Sequence, residues 1–366
     1  MRRRTFLGTG MALANASPLL AASIKGHWDD AAEVLERATA AKQVEAAVLH
    51  VVQGVESCTC HFGKAASGDA MFLLGSISKP INVAAFMTLF DQGMFKLDDR
   101  VQKFLPTFKG EGRGEVTIRH LLTHVSGLPD QLINNNELRK RHATLAEFCE
   151  QATHASLDFT PGARYQYSSM GILLAARIGE LASGTDMFTL VDRNIFQPLD
   201  MQHSAQGLGR FKREEMVSLQ REGAAPESGS GDPQSEDWNW NSPYWRKLGA
   251  PWGGTHASAP DLARFLDEFM SPRGRAVKPV TARLMIKNHN PAGFTPRGLG
   301  FGVGEESGSP GCSGRTFGHT GSTGTLCWAD PASGTICVVL TSLPARAVRP
   351  HPREVAAGRV ATAARR

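Results

Sequence analysis

Apolar positions recur along the chain with two periods. Between His27 and Lys42 they fall at Ala31, Val34, Leu35, Ala38 and Ala41, the spacing of one helix face. Ala46 to Val52 and Glu56 to Phe62 read as strands, and Gln53-Gly54 between them signals a hairpin. Ala70 to Leu74 reads as another strand, leading into an apolar run, Ile81 to Phe90, that predicts a helix with Gly93 as its C-cap. Thr117 to His124 predicts a short helix ended by Ser126-Gly127-Leu128-Pro129. Thr144-Leu145-Ala146-Glu147 is a capping box that opens the next. Met170 to Ala182 and Asp186 to Phe196 are further helices, stopped at Ser183-Gly184 and Pro198. Gly223 to Glu236 is rich in Gly, Ser, Pro and Glu and reads as a flexible loop. Trp238, Trp240, Tyr244, Trp245 and Trp252 follow it, as a packed-down lid or as the apolar wall of a cleft. Ser258-Ala259-Pro260-Asp261 starts a helix through Met270. The strand period returns at Leu299 to Val303, Arg315 to Thr320, Thr325 to Ala329 and Thr335 to Thr341, before a last helix from Arg353 to Ala364.

Strands at both ends with helices between them predict an α/β (α+β) fold. One antiparallel β-sheet, built from both chain ends and flanked by helices, carries an inserted all-helical domain. The expected division is residues 23–75 and 255–366 for the sheet domain and 76–254 for the mainly helical one, with no internal repeats.

Composition narrows the function. The chain has 366 residues, 41% of them apolar, which suffices for a substantial core. The net charge is +5, and Arg2, Arg3 and Arg4 account for three of those positives, so no concentrated basic face for nucleic acid is expected. Arg-Arg-x-Phe-Leu at Arg3 to Leu7, followed by a mild apolar run, reads as a twin-arginine export signal over residues 1–22. That predicts a periplasmic or secreted protein. The run is too short to span a bilayer, and no other segment is apolar enough, so no stable membrane span is expected. The six cysteines (Cys58, Cys60, Cys149, Cys312, Cys327, Cys337) are too scattered for a disulfide framework and read as small buried apolar residues. Their spacing with histidine does not suit zinc.

Candidate chemistry centres on Gly75-Ser76-Ile77-Ser78-Lys79-Pro80, between the predicted strand and helix. A serine hydroxyl needs an adjacent base to act as a nucleophile. If Ser76 opens the helix, Lys79 lies on the same face one turn on, within reach of the hydroxyl. The positive helix N-terminus favours negative charge developing there. Two further clusters stand apart: Gly162-Ala163-Arg164-Tyr165-Gln166-Tyr167-Ser168-Ser169-Met170 at a loop-to-helix junction, and Gly318-His319-Thr320-Gly321-Ser322 on a late strand.

Taken together, the three clusters resemble the active-site elements of the serine β-lactamase and penicillin-binding-protein superfamily, most closely the class C branch with its esterase and peptidase relatives. Leu97 to Val101, Leu121 to Pro129, Pro198 to Met201 and Gly253-Gly254 before Asp261-Leu262 extend the resemblance over about Val44 to Ser342. It implies the following roles. Ser76 attacks a carbonyl and is acylated; Lys79 and Tyr167 together take its proton and pass it to the leaving group. The N–H groups of Ser76 and Ser322 form an oxyanion hole, and Ser169, His319, Thr320 and Gly321 contact substrate. No cofactor or metal is required. Since a free tyrosine has a pKa of about 10, Tyr167 is expected to need the nearby Lys79 charge to serve as a base. His124 is assigned to structure, holding the loop after its helix.

Two positions depart from the family pattern. Ser169 stands where an asparagine often holds the substrate amide, and His319 stands where a lysine often supplies a fixed positive charge. With a neutral His319 the cleft is expected to be biased toward uncharged esters. The resulting expectation is an exported serine hydrolase, carboxylesterase-like, acting on a small-molecule ester, amide or β-lactam. A β-lactamase or D-Ala-D-Ala carboxypeptidase is the alternative, and a non-catalytic penicillin-binding or sensor protein the alternative from another class.

Overall fold

A computed structural model of the chain describes residues 3–5 and 18–365, with 3–5 and 18–27 as backbone alone. The expected export signal falls mostly outside them. In chain order the strands are β1 (Arg3–Thr5), β2 (Ala46–Gln53), β3 (Glu56–Gly63), β4 (Phe72–Leu73), β5 (Ser204–Gln206), β6 (Thr255–Ala257), β7 (Gly302–Val303), β8 (Phe317–Gly321), β9 (Thr325–Asp330) and β10 (Thr335–Thr341). The α-helices are α1 (Pro18–Ala40), α2 (Ser78–Asp91), α3 (Ile118–Leu122), α4 (Asn135–Lys140), α5 (Leu145–His154), α6 (Ser169–Ser183), α7 (Met187–Val191), α8 (Pro243–Leu248), α9 (Ala259–Met270), α10 (Pro279–Met285) and α11 (Pro352–Ala363).

The main sheet runs β1-β3-β2-β10-β9-β8-β7, all antiparallel. Its centre joins the two chain ends, with Leu49 opposite Val339 and Val48 opposite Leu340. Successive strand residues point to opposite faces, and the chain uses both. Leu49, Val51, Trp328, Cys337 and Val339 bury one face beneath α1 and α11. Val48, Cys327, Ala329, Ile336, Val338 and Leu340 bury the other into the large core shared with the helical part. Each fully buried Val, Leu or Ile contributes about 1.5–3 kcal/mol, and two-sided burial explains why β10 is apolar almost throughout. Cys327 and Cys337 flank the hairpin but face opposite cores, opposite Val338 and Trp328 respectively. All six cysteines are buried.

Several elements are shorter than their apolar runs. Of Ala70 to Leu74 only Phe72–Leu73 is strand, and it belongs to a separate three-stranded sheet, β4-β6-β5. Leu74 N still donates to the Thr255 carbonyl of β6 at 2.9 Å, but its own carbonyl accepts from the Thr325 hydroxyl at 2.7 Å, and the ladder ends there. The segment Asp186 to Phe196 is α7 followed by a π-helical turn from Asp192 to Phe196. α3 stops at Leu122, and His124 beyond it adopts left-handed φ of 63°. The Thr144 capping box has both bonds, Glu147 N to Thr144 Oγ1 and Thr144 N to Glu147 Oε2. Gly223 to Glu236 includes a short 3-10 turn at Pro226–Ser228. Trp238, Trp240, Trp245 and Trp252 are all buried, so packing is their main role.

Candidate active site

Ser76 lies in a single 3-10 turn, Gly75–Ile77, that runs directly into α2. The turn starts at Gly75, whose φ of +56° is left-handed, where glycine alone is unstrained. A Cβ there would also meet Thr323 Oγ1 at 2.9 Å and Ser322 N at 3.2 Å, so the third cluster lies directly against the first. Thr323 and Thr325 hydroxyls hold the two elements together by donating to the Leu73 and Leu74 carbonyls. Gly321 completes the contact, because a methyl there would sit 2.1 Å from the Leu74 carbonyl oxygen. Its missing side chain thus makes room for the chain entering Ser76.

Lys79 is fully buried, and its Nζ lies 3.0 Å from Ser76 Oγ and 3.0 Å from the carbonyl of Trp252, to which it donates. Burial disfavours the ammonium and brings the Lys79 pKa down to about 7; Asp130 and Glu227 pull it up, and Arg297 presses it further down. With a pKa of about 7 the amine exchanges between its charged and neutral forms near neutral pH, and the neutral form is the one able to take the Ser76 proton.

Tyr167 presents its ring to Lys79, whose Nζ is 4.7 Å from the ring centroid. Its hydroxyl oxygen is enclosed and makes no hydrogen bond of normal geometry. Burial above all drives its pKa up; the nearby Ser76 hydroxyl and Arg297 act the other way without prevailing. Tyr167 is thus a neutral phenol: desolvation prevails, and the positive charge that opposes it comes from Arg297.

Ser169 opens α6, where Ser168 is the N-cap and accepts from Gly171 N at 2.9 Å. Both the backbone N–H and the hydroxyl of Ser169 donate to Asp130 Oδ1, at 2.9 and 2.6 Å. The Ser169 hydroxyl proton is committed to Asp130, a residue the sequence motifs did not single out although it directly follows Leu128-Pro129.

His319 is buried on β8, while Thr320 beside it is exposed. His319 Nδ1 lies 2.7 Å from the Thr320 carbonyl and must donate to it, leaving Nε2 to accept from Arg297 Nη1 at 3.4 Å. Burial, then Arg297, then Lys79 hold its pKa well below the usual histidine value. His319 is neutral, but the cleft is not. The Arg297 guanidinium also donates twice to Tyr165 Oη, at 3.1 and 2.8 Å, and no carboxylate pairs with it among the described residues. The expectation of a cleft without fixed positive charge is therefore corrected. Arg297 lies in a loop with no motif, 22 residues before His319, and only folding brings it there.

Among the described residues no three His, Cys, Asp or Glu side chains gather as a metal site, and no helix is long and apolar enough to cross a membrane.

Comparison with known proteins places these features. A family model described as Beta-lactamase matches residues 31–361. Penicillin-binding protein 4 of Amycolatopsis lactamdurans is 28% identical, covering 76% of this chain and 74% of that protein. Esterase EstB of Burkholderia gladioli is 34% identical over 38% of this chain and 39% of its own. The match to Penicillin-binding protein 4* of Bacillus subtilis, 34% identical over 36% of this chain, spans only 30% of that relative's length. Among solved structures, EstCE1, a hydrolase with promiscuous acyltransferase activity, shares the fold with a TM-score of 0.75 at 19% identity, covering 94% of this chain and all of that one. A penicillin-binding-protein homologue from Caulobacter crescentus gives 0.76 at 22%, covering 92% and 97%. The chain belongs to the β-lactamase family of serine hydrolases.

Proposed function

We propose that this protein is an exported serine hydrolase that cleaves a small carboxylic ester through an acyl-enzyme on Ser76. One observation carries the reading: a fully buried lysine amine, with a pKa near 7, lies 3.0 Å from the Ser76 hydroxyl. A base is most effective when its pKa lies near the working pH. Ser76 Oγ attacks the carbonyl carbon as its proton passes to neutral Lys79. The developing oxyanion accepts hydrogen bonds from the Ser76 and Ser322 N–H groups. Collapse expels the alcohol, which takes the proton from Lys79 by way of the Tyr167 phenol. Tyr167 acts as a carrier that gives one proton and receives another, since it starts neutral. Water then attacks the acyl-enzyme, its proton follows the reverse route, and the acid leaves with Ser76 restored.

The test is turnover of short-chain p-nitrophenyl esters and of nitrocefin by wild type and Ser76→Ala, with fluorophosphonate labelling of Ser76. Ester turnover lost in Ser76→Ala is expected; wild-type protein that never labels would make it a non-catalytic binding or sensor protein.

A second reading, a β-lactamase or D-Ala-D-Ala carboxypeptidase, is favoured by the Arg297 guanidinium beside His319, which has no carboxylate partner among the described residues. Substrates of both kinds carry a carboxylate that a guanidinium binds well. Nitrocefin hydrolysis faster than ester hydrolysis would establish it. Export rests on Arg3-Arg4-Thr5-Phe6-Leu7; replacing both arginines with lysine should retain the protein in the cytoplasm.

A further inference from the structure

The resemblance leaves His124 a loop-holding part, yet its surroundings ask for more. It is a fully buried, non-glycine residue at φ 63°, a region a bulky side chain rarely occupies without a reason. Nδ1 accepts from Ser168 N at 3.2 Å, so the ring proton sits on Nε2. That Nε2 is buried with no hydrogen-bond partner, a feature native structures seldom keep. A loop holder needs neither the strain nor the orphan donor. The backbone already does that work, with Gln166 N donating to the His124 carbonyl at 2.9 Å and Gly162 N to the Val125 carbonyl at 2.8 Å.

What the imidazole adds is its face. Its ring centroid lies 4.5 Å from that of Tyr167, tilted by 40°, and 6.2 Å from that of Tyr165, edge-on. Tyr167 depends on such contacts. Its hydroxyl lies by the Ser76 hydroxyl without a hydrogen bond of normal geometry, so its aim depends on what packs on the ring: His124, the His319 ring at 6.1 Å, Lys79 Nζ at 4.7 Å and the Arg297 guanidinium at 5.4 Å. The last two carry charge or change it during the reaction. His124 and His319 are both held neutral by burial and by the neighbouring Arg297 and Lys79 charges, and His124, at 4.5 Å, is the closer of these two constant contacts.

We propose that His124 is a positioning residue that aims the Tyr167 hydroxyl at the Ser76–Lys79 pair, gripping Tyr167 by its ring and the next residue by its backbone. The inference rests on the proton-carrier reading of Tyr167. The test uses the full-length protein, p-nitrophenyl butyrate and four variants: His124→Asn, His124→Phe, Tyr167→Phe, and the Asn and Phe changes combined at the two sites. Asparagine tolerates the left-handed backbone and keeps an acceptor near Ser168 N, but it removes the ring. His124→Asn should lower kcat by about 10–100-fold, a general acid–base scale, with KM within about threefold. His124→Phe, which keeps a ring against Tyr167, should retain more kcat than the asparagine variant. In a Tyr167→Phe background His124→Asn should cost no more than about twofold, because the group it aims is already gone. Multiplicative losses in the double variant, a change confined to KM, or a silent Tyr167→Phe would each overturn the proposal. If His124→Asn does not fold, the same comparison is read on His124→Gly, which suits the left-handed backbone and also removes the ring, with and without Tyr167→Phe. Wild-type labelling by a fluorophosphonate keeps the two readings apart: labelled protein with additive losses refutes the role of His124 alone, and unlabelled protein refutes the hydrolase reading.

Discussion

Ser76→Ala should abolish ester turnover and leave thermal stability nearly unchanged, since Ser76 is only half-buried and loses one hydroxyl. Lys79→Ala and Tyr167→Phe should each lower kcat by about 100-fold or more. Their combination should cost less than the product, because both serve one proton path; turnover of the three variants decides it. The pH dependence follows from Lys79. Its ammonium cannot accept a proton, so kcat/KM should rise with pH through about 7 and level off above. Asp130 raises that pKa, so Asp130→Asn should move the rising limb to lower pH while asparagine keeps an acceptor for Ser169. A limb that stays in place would show that Lys79 is not the group titrating. Arg297 gives a third measurement. Arg297→Ala should raise KM for a carboxylate-bearing substrate far more than for a neutral ester, and equal changes for both would remove it from substrate recognition.

The site depends, at the level of elements, on the edge of β8 closing against the turn before α2. The Thr323 and Thr325 hydroxyls and the absent side chain at Gly321 make that contact. Gly321→Ala would place a methyl 2.1 Å from the Leu74 carbonyl, so one element has to yield. Overpacking of this kind typically costs about 1–3 kcal/mol. The expected outcome is a lower melting temperature together with a loss of kcat larger than the fraction unfolded explains. Urea unfolding and ester kinetics on one preparation test it. The helical expectations succeeded where a long apolar stripe ended in a clear stop, as in α6 with Gly184 at φ 68° as its C-cap. A strand expectation fell short where a tertiary bond cut the element early, at Leu74, whose carbonyl accepts from the Thr325 hydroxyl.

Over the whole molecule, the last helix reaches back to the site. Arg353 on α11 is buried, and its Nη1 donates to the carbonyls of Gly321 and Thr325 at the end of β8 and the start of β9. Arg353→Ala removes a charged donor from two buried carbonyls, of which Gly321's keeps the Gly324 N–H, and a lost hydrogen bond to a charged group is worth about 1.5–3 kcal/mol. A marked fall in stability is expected, with reduced activity although Arg353 touches no reacting atom; an unchanged melting temperature would refute this bracing role. Arg353 thus braces the strand end that closes on the Ser76 turn, while β2 and β10 join the two chain ends, with Leu49 opposite Val339.

Sequence alone was enough for what is local or periodic. Strands at both ends, a helical middle and Ser76-x-x-Lys79 three residues apart each follow from short-range spacing, because period and turn geometry act within a few residues. What depends on distant parts meeting was decided by tertiary structure. The Trp252 carbonyl on Lys79, the Asp130 carboxylate on Ser169 and the Arg297 guanidinium beside His319 come from segments that share no pattern with the residues they touch. So do the protonation states. Burial, a property of the folded whole, lowers Lys79 and raises Tyr167, and it overrides the pairwise charge argument that the sequence invites.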